Sequence, residues 1–297
     1  MNQRLDLLVS SVARLRARLD GVDYLADDGL ATALFCAVRL AQPLLLEGEA
    51  GVGKTEAAKA LAAALDTPLV RLQCYEGIDA SSALYEWDYP RQLLAIRVAE
   101  GRGEAVSETD LFTSRFLIAR PLLHALQHGG PLPAVLLIDE IDRADDEFEA
   151  FLFELLAEAS VTIPEMGTVR AAIPPVVVLT SNRTRDLHDA LKRRCLYHWI
   201  DHPDVARTEA IIRRRAPLTS QPLARQVAVA LQRLRSLDLQ KPPGVAEAIN
   251  WAAALHVLGL DRLDVAAAEA TVGSVLKYRE DLDVATGGGL GWVVGEP

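Results

Sequence analysis

Gly48-Glu49-Ala50-Gly51-Val52-Gly53-Lys54-Thr55 meets the pattern G-x-x-x-x-G-K-[ST] at every fixed position. The run before it, Pro43-Leu44-Leu45-Leu46-Glu47, is short, apolar and stopped by glycine, which suits a strand buried on both faces. The run that begins inside it, Lys54 to Leu65, reads as a helix. Strand, glycine loop and helix in that order are what the pattern's physics needs. Glycines let successive backbone N–H groups turn inward on phosphate oxygens, and the helix adds the positive end of its dipole. Lys54 then neutralises the β- and γ-phosphates, and the Thr55 hydroxyl ligates magnesium. The competing reading is an ordinary glycine-rich turn, and the flanking strand and helix weigh against it.

Outward from the loop the alternation continues. Pro68 to Gln73, Ala134 to Ile138, Val176 to Thr180 and the shorter Leu196 to Ile200 are strand candidates, with a helix from Glu147 to Ala159. Strands alternating with helices imply a parallel sheet flanked by helices. Val161 to Ile163 and Val169 to Ile173 flank Pro164-Glu165-Met166-Gly167 as a hairpin at 161–173. At the start, Leu5, Leu8, Val9, Val12, Leu15 and Leu19 predict one amphipathic helix that Gly21 ends, and a second helix covers Gly29 to Leu40. After Pro203 the pattern becomes all-helical: Val205 to Arg215, Pro222 to Leu237, Val245 to Leu258 and Asp264 to Tyr278. The expected plan is an α/β core over 1–203, an all-α region over 204–285 and a loose glycine-rich tail over 286–297.

Val135-Leu136-Leu137-Ile138-Asp139-Glu140 puts two carboxylates at the C-terminal end of a buried strand, the edge where α/β sheets bind ligands. Asp139 is the candidate magnesium ligand, and Glu140 the group that orients or deprotonates the attacking water. A solvated strand end is the bland alternative, and the glycine loop upstream weighs against it. Asn182 ends the next buried strand, where its amide either holds the same water or simply forms a turn. Lys192-Arg193-Arg194 has three readings: nucleic-acid contact, a solvated helix end, or an arginine reaching a neighbouring subunit's γ-phosphate. Arg213-Arg214-Arg215 before Pro217 fits a helix-dipole role better.

The chain has 297 residues, 50% apolar and 5% aromatic, which favours a helix-rich globular protein. A net charge of -10 argues against a general nucleic-acid binder. Cys36, Cys74 and Cys195 are scattered without C-x-x-C spacing, so neither a disulfide framework nor a zinc site is expected. Arg14, Arg16 and Arg18 interrupt any apolar leader, and no run approaches the ~20 apolar residues of a membrane span. A cytoplasmic location is the expectation.

These elements in this order resemble the AAA+ ATPases. GEAGVGKTE from Gly48, LQCYEGIDASSALYEWDY from Leu72 and LLIDEIDRAD from Leu136 together look like the MoxR branch, and are similar to proteins that accompany carbon monoxide dehydrogenase maturation. Leu276-Lys277-Tyr278-Arg279-Glu280-Asp281 also looks like that group, and the resemblance runs from Tyr24 to about Asp283. It implies a P-loop AAA+ core followed by an all-α lid, ATP with Mg2+ as cofactor, and a homo-oligomer, usually a hexamer. It implies a client metalloenzyme and a von Willebrand factor A domain companion; the net charge of -10 makes no nucleic acid the expectation. Asn182 would be the sensor, and Arg193 or Arg194 the finger acting in trans. The region about 75–115 resembles the branch's helix-2 insert, facing the pore or the client. Tyr24 and Leu25 resemble residues that cover the base, with plain core packing the equal alternative. One departure stands out. The family's lid arginine sits in a Ser-Pro-Arg context, whereas here Lys241-Pro242-Pro243-Gly244-Val245 has none. Either Lys241 substitutes or the lid couples weakly.

Three functions therefore compete. The first is a MoxR-type remodelling ATPase that helps mature a metal cofactor in a partner, by the resemblance a molybdenum hydroxylase such as carbon monoxide dehydrogenase. The second is a nucleic-acid-directed motor or GTP-dependent nuclease subunit, disfavoured by the charge. The third is a nucleotide-binding scaffold without turnover, disfavoured by intact Lys54, Asp139 and Glu140.

Overall fold

The computed structural model describes residues 3–295, with the backbone alone at residues 3 and 80. In chain order the elements are α1 (Gln3–Leu8), α2 (Val12–Asp20), α3 (Asp28–Leu40), β1 (Leu44–Glu47), α4 (Lys54–Leu65) and β2 (Leu69–Gln73). Next come α5 (Ala80–Ala83), β3 (Tyr85–Trp87), α6 (Tyr89–Arg102), α7 (Glu108–Leu111), β4 (Leu117–Ala119) and α8 (Pro121–Leu126). They are followed by β5 (Val135–Asp139), α9 (Asp146–Glu158), β6 (Ser160–Ile163), β7 (Gly167–Arg170), β8 (Val176–Ser181), α10 (Asp189–Lys192) and β9 (Leu196–Trp199). The rest is helical: α11 (Val205–Arg215), α12 (Gln221–Arg235), α13 (Val245–Val257), α14 (Val265–Thr271), α15 (Arg279–Thr286) and α16 (Gly291–Val294).

The chain divides into two compact units, and the division is not a single cut near Pro203. One unit comprises Met1–Arg18, Asp28–Glu47 and Ala58–His198; the other comprises Leu19–Asp27, Gly48–Ala57 and Trp199–Pro297. The phosphate-loop segment therefore groups with the C-terminal helices.

The first unit is built on a five-stranded sheet of order β2-β5-β8-β1-β9. β2 pairs with β5, β5 with β8, and β8 with β1, all in parallel. Every residue of β1, β5 and β8 is buried, as expected of near-continuous Leu, Val and Ile runs inside a helix-covered parallel sheet. The pairing register sets Gln73 beside Asp139 and Glu47 beside Ser181, so these strand ends share the carboxyl edge. Two antiparallel pairs stand apart from the sheet: β6 with β7, the hairpin read at 161–173, and β3 with β4, which enclose α6 and α7. The ladder that β3 opens is closed by β4 at Leu117–Ala119, just beyond the stretch read at about 75–115.

In the second unit the core gathers around Trp251, which is fully buried with Leu231, Leu234 and Leu255. Its indole N–H donates to Thr271 Oγ1 at 2.7 Å. Three expectations are corrected. The opening helix is two helices, because the Ser11 hydroxyl accepts the Arg14 N–H at 3.2 Å and starts a new one. The helix expected over Asp264 to Tyr278 stops at Thr271, whose hydroxyl bonds back to Ala267 O, and a 3-10 turn at Val272–Ser274 follows. The glycine-rich end, expected loose, carries α16, with Leu290 and Val293 buried and Arg233 Nη1 donating to Trp292 O at 2.7 Å. Residues 296–297 of that expected tail lie outside the described residues.

Candidate nucleotide site

The phosphate loop follows β1 directly in the chain. Gly48, Gly51 and Gly53 have φ of 156°, 79° and 100°, conformations that side chains disfavour. Gly48 is also constrained by space, since a Cβ there would stand 2.4 Å from Ile200 O. Lys54 is buried, and its ammonium donates to Gly48 O and Glu49 O at 2.7 Å each, which curls the loop around the lysine. At Gly51 the loop meets the start of α13: Val245 N donates to Gly51 O at 3.0 Å. A Cβ on Gly244 would stand 2.6 Å from Gly51 Cα. Gly244 N in turn donates to Glu247 Oε2 at 3.0 Å.

Glu49 projects to His202, whose Nε2 lies 2.8 Å from Glu49 Oε2. Burial first, then the neighbouring Arg235 guanidinium, holds His202 below the usual histidine range, against the pull of Glu49. Burial likewise brings Arg235 down to about 10, with Glu49 and Glu247 opposing it, so it stays charged at neutral pH. Arg235 Nε donates to Pro243 O at 2.7 Å. Lys241 is oriented otherwise: its ammonium lies 6.0 Å from the Tyr278 ring centroid, and its backbone N–H donates to the buried Asp281.

Tyr24 and Leu25 both belong to the loop's unit. The Tyr24 hydroxyl reaches Gly53 O at 3.4 Å, and burial raises its pKa, so it is a neutral phenol. Arg207 holds this segment by donating to Leu25 O at 2.5 Å and Asp27 Oδ2 at 2.8 Å.

On the sheet edge, Asp139 is buried. Its Oδ1 accepts the Thr180 hydroxyl at 2.6 Å, and its Oδ2 accepts Arg71 Nε at 3.0 Å and Nη2 at 2.6 Å. The same Thr180 oxygen accepts the Glu140 N–H at 2.9 Å. Glu140 sits in left-handed backbone, φ 55°, and its carboxylate pairs with Arg143 at 2.9 Å. Asn182 begins a turn braced by Asp142: Asp142 Oδ2 accepts Asn182 N at 3.2 Å, Thr184 N at 2.9 Å and Thr184 Oγ1 at 2.7 Å. Arg193 caps α10 and Arg194 follows it. Arg194 lies over the Phe153 ring, 4.8 Å from its centroid, whereas exposed Arg193 has no ion pair among the described residues.

Among the described residues no three His, Cys, Asp or Glu side chains gather into a metal site. Magnesium carried by a triphosphate needs no such cluster, because phosphates and water fill most of its shell. The Thr55 hydroxyl and the Asp139 carboxylate are hard oxygen donors of the kind it takes. The unexpected residues are Thr180, Arg71 and Asp142 on the sheet edge, and Arg207, His202 and Arg235 in the loop's own unit. Their roles come from strand register and chain crossings, which a linear pattern does not carry. Arg235, four residues after a buried Leu231 and one after Leu234, reads in sequence as an ordinary helix end.

The chain is 27% identical over 216 residues to an uncharacterized protein of Staphylococcus haemolyticus, covering 71% of this chain and 73% of that one. It is 27% identical over 204 residues to an uncharacterized protein of Staphylococcus aureus strain USA300, covering 66% and 70%. Among solved structures it is similar to the Thermotoga maritima RuvB Holliday junction branch migration motor, with TM-score 0.49 and 17% identity over 83% of this chain and 68% of that one. No helix among the described residues is long and apolar enough to cross a membrane. Residues 43–195, from the residue before β1 to the one before β9, match the family described as AAA domain (dynein-related subfamily), and with its parallel sheet, glycine loop and helical C-terminal region the chain belongs to that AAA+ family.

Proposed function

We propose that this chain binds and hydrolyses ATP, and that hydrolysis drives remodelling of a partner protein. The observation that carries the proposal is the pair of acids at the end of β5, fixed by one hydroxyl: Thr180 bonds both the Asp139 carboxylate and the Glu140 backbone. That degree of fixing suits groups that must hold direction through a reaction, and a merely solvated strand end has no use for it.

Gly48, Glu49, Ala50, Gly51, Val52, Gly53, Lys54 and Thr55 bind the triphosphate, Lys54 by charge and the loop by its N–H groups. Thr55 and Asp139 are the residues to hold magnesium, which when bound screens the phosphate charge. Glu140 orients the attacking water, or takes its proton as the bond to the γ-phosphorus forms. Asn182 steadies the same water through its amide. Arg193 is favoured over Arg194 as the arginine that reaches a neighbour's γ-phosphate, because the Phe153 ring occupies Arg194. Tyr24 and Leu25 flank the base.

The stretches that resemble the MoxR branch support a finer reading. The protein would assemble as a homo-oligomer, six-membered by that resemblance, and act on a client metalloenzyme with a von Willebrand factor A domain companion. Exposed Leu93, Leu94 and Val98 on α6 give the insert an apolar surface suited to a client. The test is Glu140→Gln in the full chain. It should bind ATP, lose turnover and retain client and companion in a pull-down, whereas Lys54→Ala should bind neither nucleotide nor partner. Turnover unchanged in Glu140→Gln would sink the reading.

A further inference from the structure

Where the start of α13 meets the phosphate loop, both residues in contact are glycines. Gly51 and Gly244 meet backbone to backbone. A Cβ on Gly51 would stand 2.8 Å from Gly244 Cα, and a Cβ on Gly244 would stand 2.6 Å from Gly51 Cα. The contact is locked by Val245 N donating to Gly51 O at 3.0 Å. Pro243, which precedes Gly244, has its carbonyl held by Arg235 Nε at 2.7 Å. On the loop's other flank, His202 holds the Glu49 carboxylate at 2.8 Å.

Two nitrogens in this cluster are buried and have no hydrogen-bond partner among the described residues: Arg235 Nη2 and His202 Nδ1. Burying an unpartnered guanidinium nitrogen is costly. The cost is offset where the charge serves acids around it, here Glu49 of the loop and Glu247 of α13. Lys241, the cation nearest to Gly244 in sequence, faces Tyr278 instead.

We propose that Arg235 is a positioning residue for the phosphate loop: by holding the Pro243 carbonyl it keeps Gly244 seated on Gly51, and so fixes the loop shape that receives the phosphates. This rests on the ATP-binding reading above. The last turn of α12 is thereby the means by which the helical region controls nucleotide affinity, without any side chain of that region needing to touch the nucleotide.

The test uses the full chain as wild type, Arg235→Gln, Arg235→Lys and Gly244→Ala, with Lys54→Ala as reference. ATP and ADP affinity are measured by equilibrium binding, and turnover by phosphate release. Arg235→Gln should raise KM for ATP about tenfold and change kcat less than about twofold, the size expected for one charged hydrogen bond lost from binding alone. Gly244→Ala should weaken binding at least as much, because its methyl group drives the loop and α13 apart. Arg235→Lys, which can still donate to Pro243 O, should recover part of the affinity. In an NMR titration His202 should become easier to protonate in Arg235→Gln, since the neighbouring cation is gone while Glu49 and Asp201 remain.

If wild type binds nucleotide and both Arg235→Gln and Gly244→Ala bind it equally well, the positioning role is overturned while the ATP reading stands. A fall in kcat with KM unchanged likewise overturns it, as it would place Arg235 in the chemical step. If wild type fails to bind nucleotide, or Lys54→Ala binds as well as wild type, the ATP reading itself fails. Should Arg235→Gln not fold, Gly244→Ala and Arg235→Lys decide between these outcomes.

Discussion

At the residue scale, the most informative atom is the Thr180 hydroxyl. It donates to Asp139 and accepts from the Glu140 N–H, so one oxygen sets the direction of one acid and the backbone of the other. Thr180→Val keeps the shape and removes both bonds, leaving buried Asp139 short of a donor. Stability should fall by about 1–3 kcal/mol, and kcat by about ten- to a hundredfold, with Thr180→Ser close to wild type. Denaturant unfolding and phosphate release read the two effects, and an unchanged kcat in a folded Thr180→Val protein would remove Thr180 from the site. In sequence this threonine is the last residue of the Val176 to Thr180 strand candidate. Asp139 and Glu140 were legible because they end an apolar run; Thr180 and Arg71 were not, because each acts across a strand pairing. A second residue-scale expectation concerns the thiols. Burial raises Cys74 to about 12, with Asp139, Asp142 and Glu140 adding to it, and raises Cys195 to about 12. Both should therefore resist alkylation at pH 8 in the native protein and react once it is denatured, since the thiolate is the reactive form. Fast iodoacetamide labelling of Cys74 in the native state, read by mass spectrometry, would contradict its burial.

At the scale of elements, legibility followed how local the cause was. α4 was read at its true bounds because the glycine loop before it and Asp66 after it, with φ 53°, punctuate the chain locally. β1, β2, β5 and β8 were read to within a residue or so, being short apolar runs between turn residues. The opening helix and the helix expected over Asp264 to Tyr278 were misjudged, because periodicity runs through breaks that single hydroxyls make. Ser11 and Thr271 are those hydroxyls. Thr271 shows what such a break does. Its Oγ1 accepts the buried Trp251 indole N–H and donates to Ala267 O at 2.5 Å, ending α14 while satisfying the core's largest side chain. Thr271→Val should strand the indole N–H and lower stability by about 1–3 kcal/mol, leaving ATP affinity unchanged. A shifted denaturation midpoint followed by tryptophan fluorescence would show this. A midpoint equal to wild type would mean that the bond carries no net stability. The glycine-rich end was misread for the same kind of reason: Leu290 and Val293 reach into the core, and nothing in three consecutive glycines announces it.

At the scale of the whole molecule, the property that sequence and single-chain geometry constrain least is assembly. A finger arginine acts on nucleotide held by a neighbour, so its role shows only when chains are combined. The local geometry nonetheless separates the two candidates. Arg194 rests on Phe153, so Arg194→Ala should cost packing and little activity, whereas Arg193, equally exposed, has no such partner among the described residues. Arg193→Ala should keep ATP affinity and lose about a thousandfold in turnover. Mixing it with Glu140→Gln then distinguishes an arginine acting across an interface from one acting within its own chain. Each variant alone is inactive. In a mixed assembly of the proposed kind, an Arg193→Ala subunit has an intact Glu140 and receives an intact Arg193 from a Glu140→Gln neighbour. Random assembly of equal amounts creates that arrangement at about a quarter of the interfaces, so activity should return to about a quarter of wild type. An arginine acting within its own chain gives no recovery at any ratio, because each subunit then lacks one required group. Recovery should also rise and fall with total protein concentration as subunits associate and part, a dependence that a self-sufficient monomer would not show.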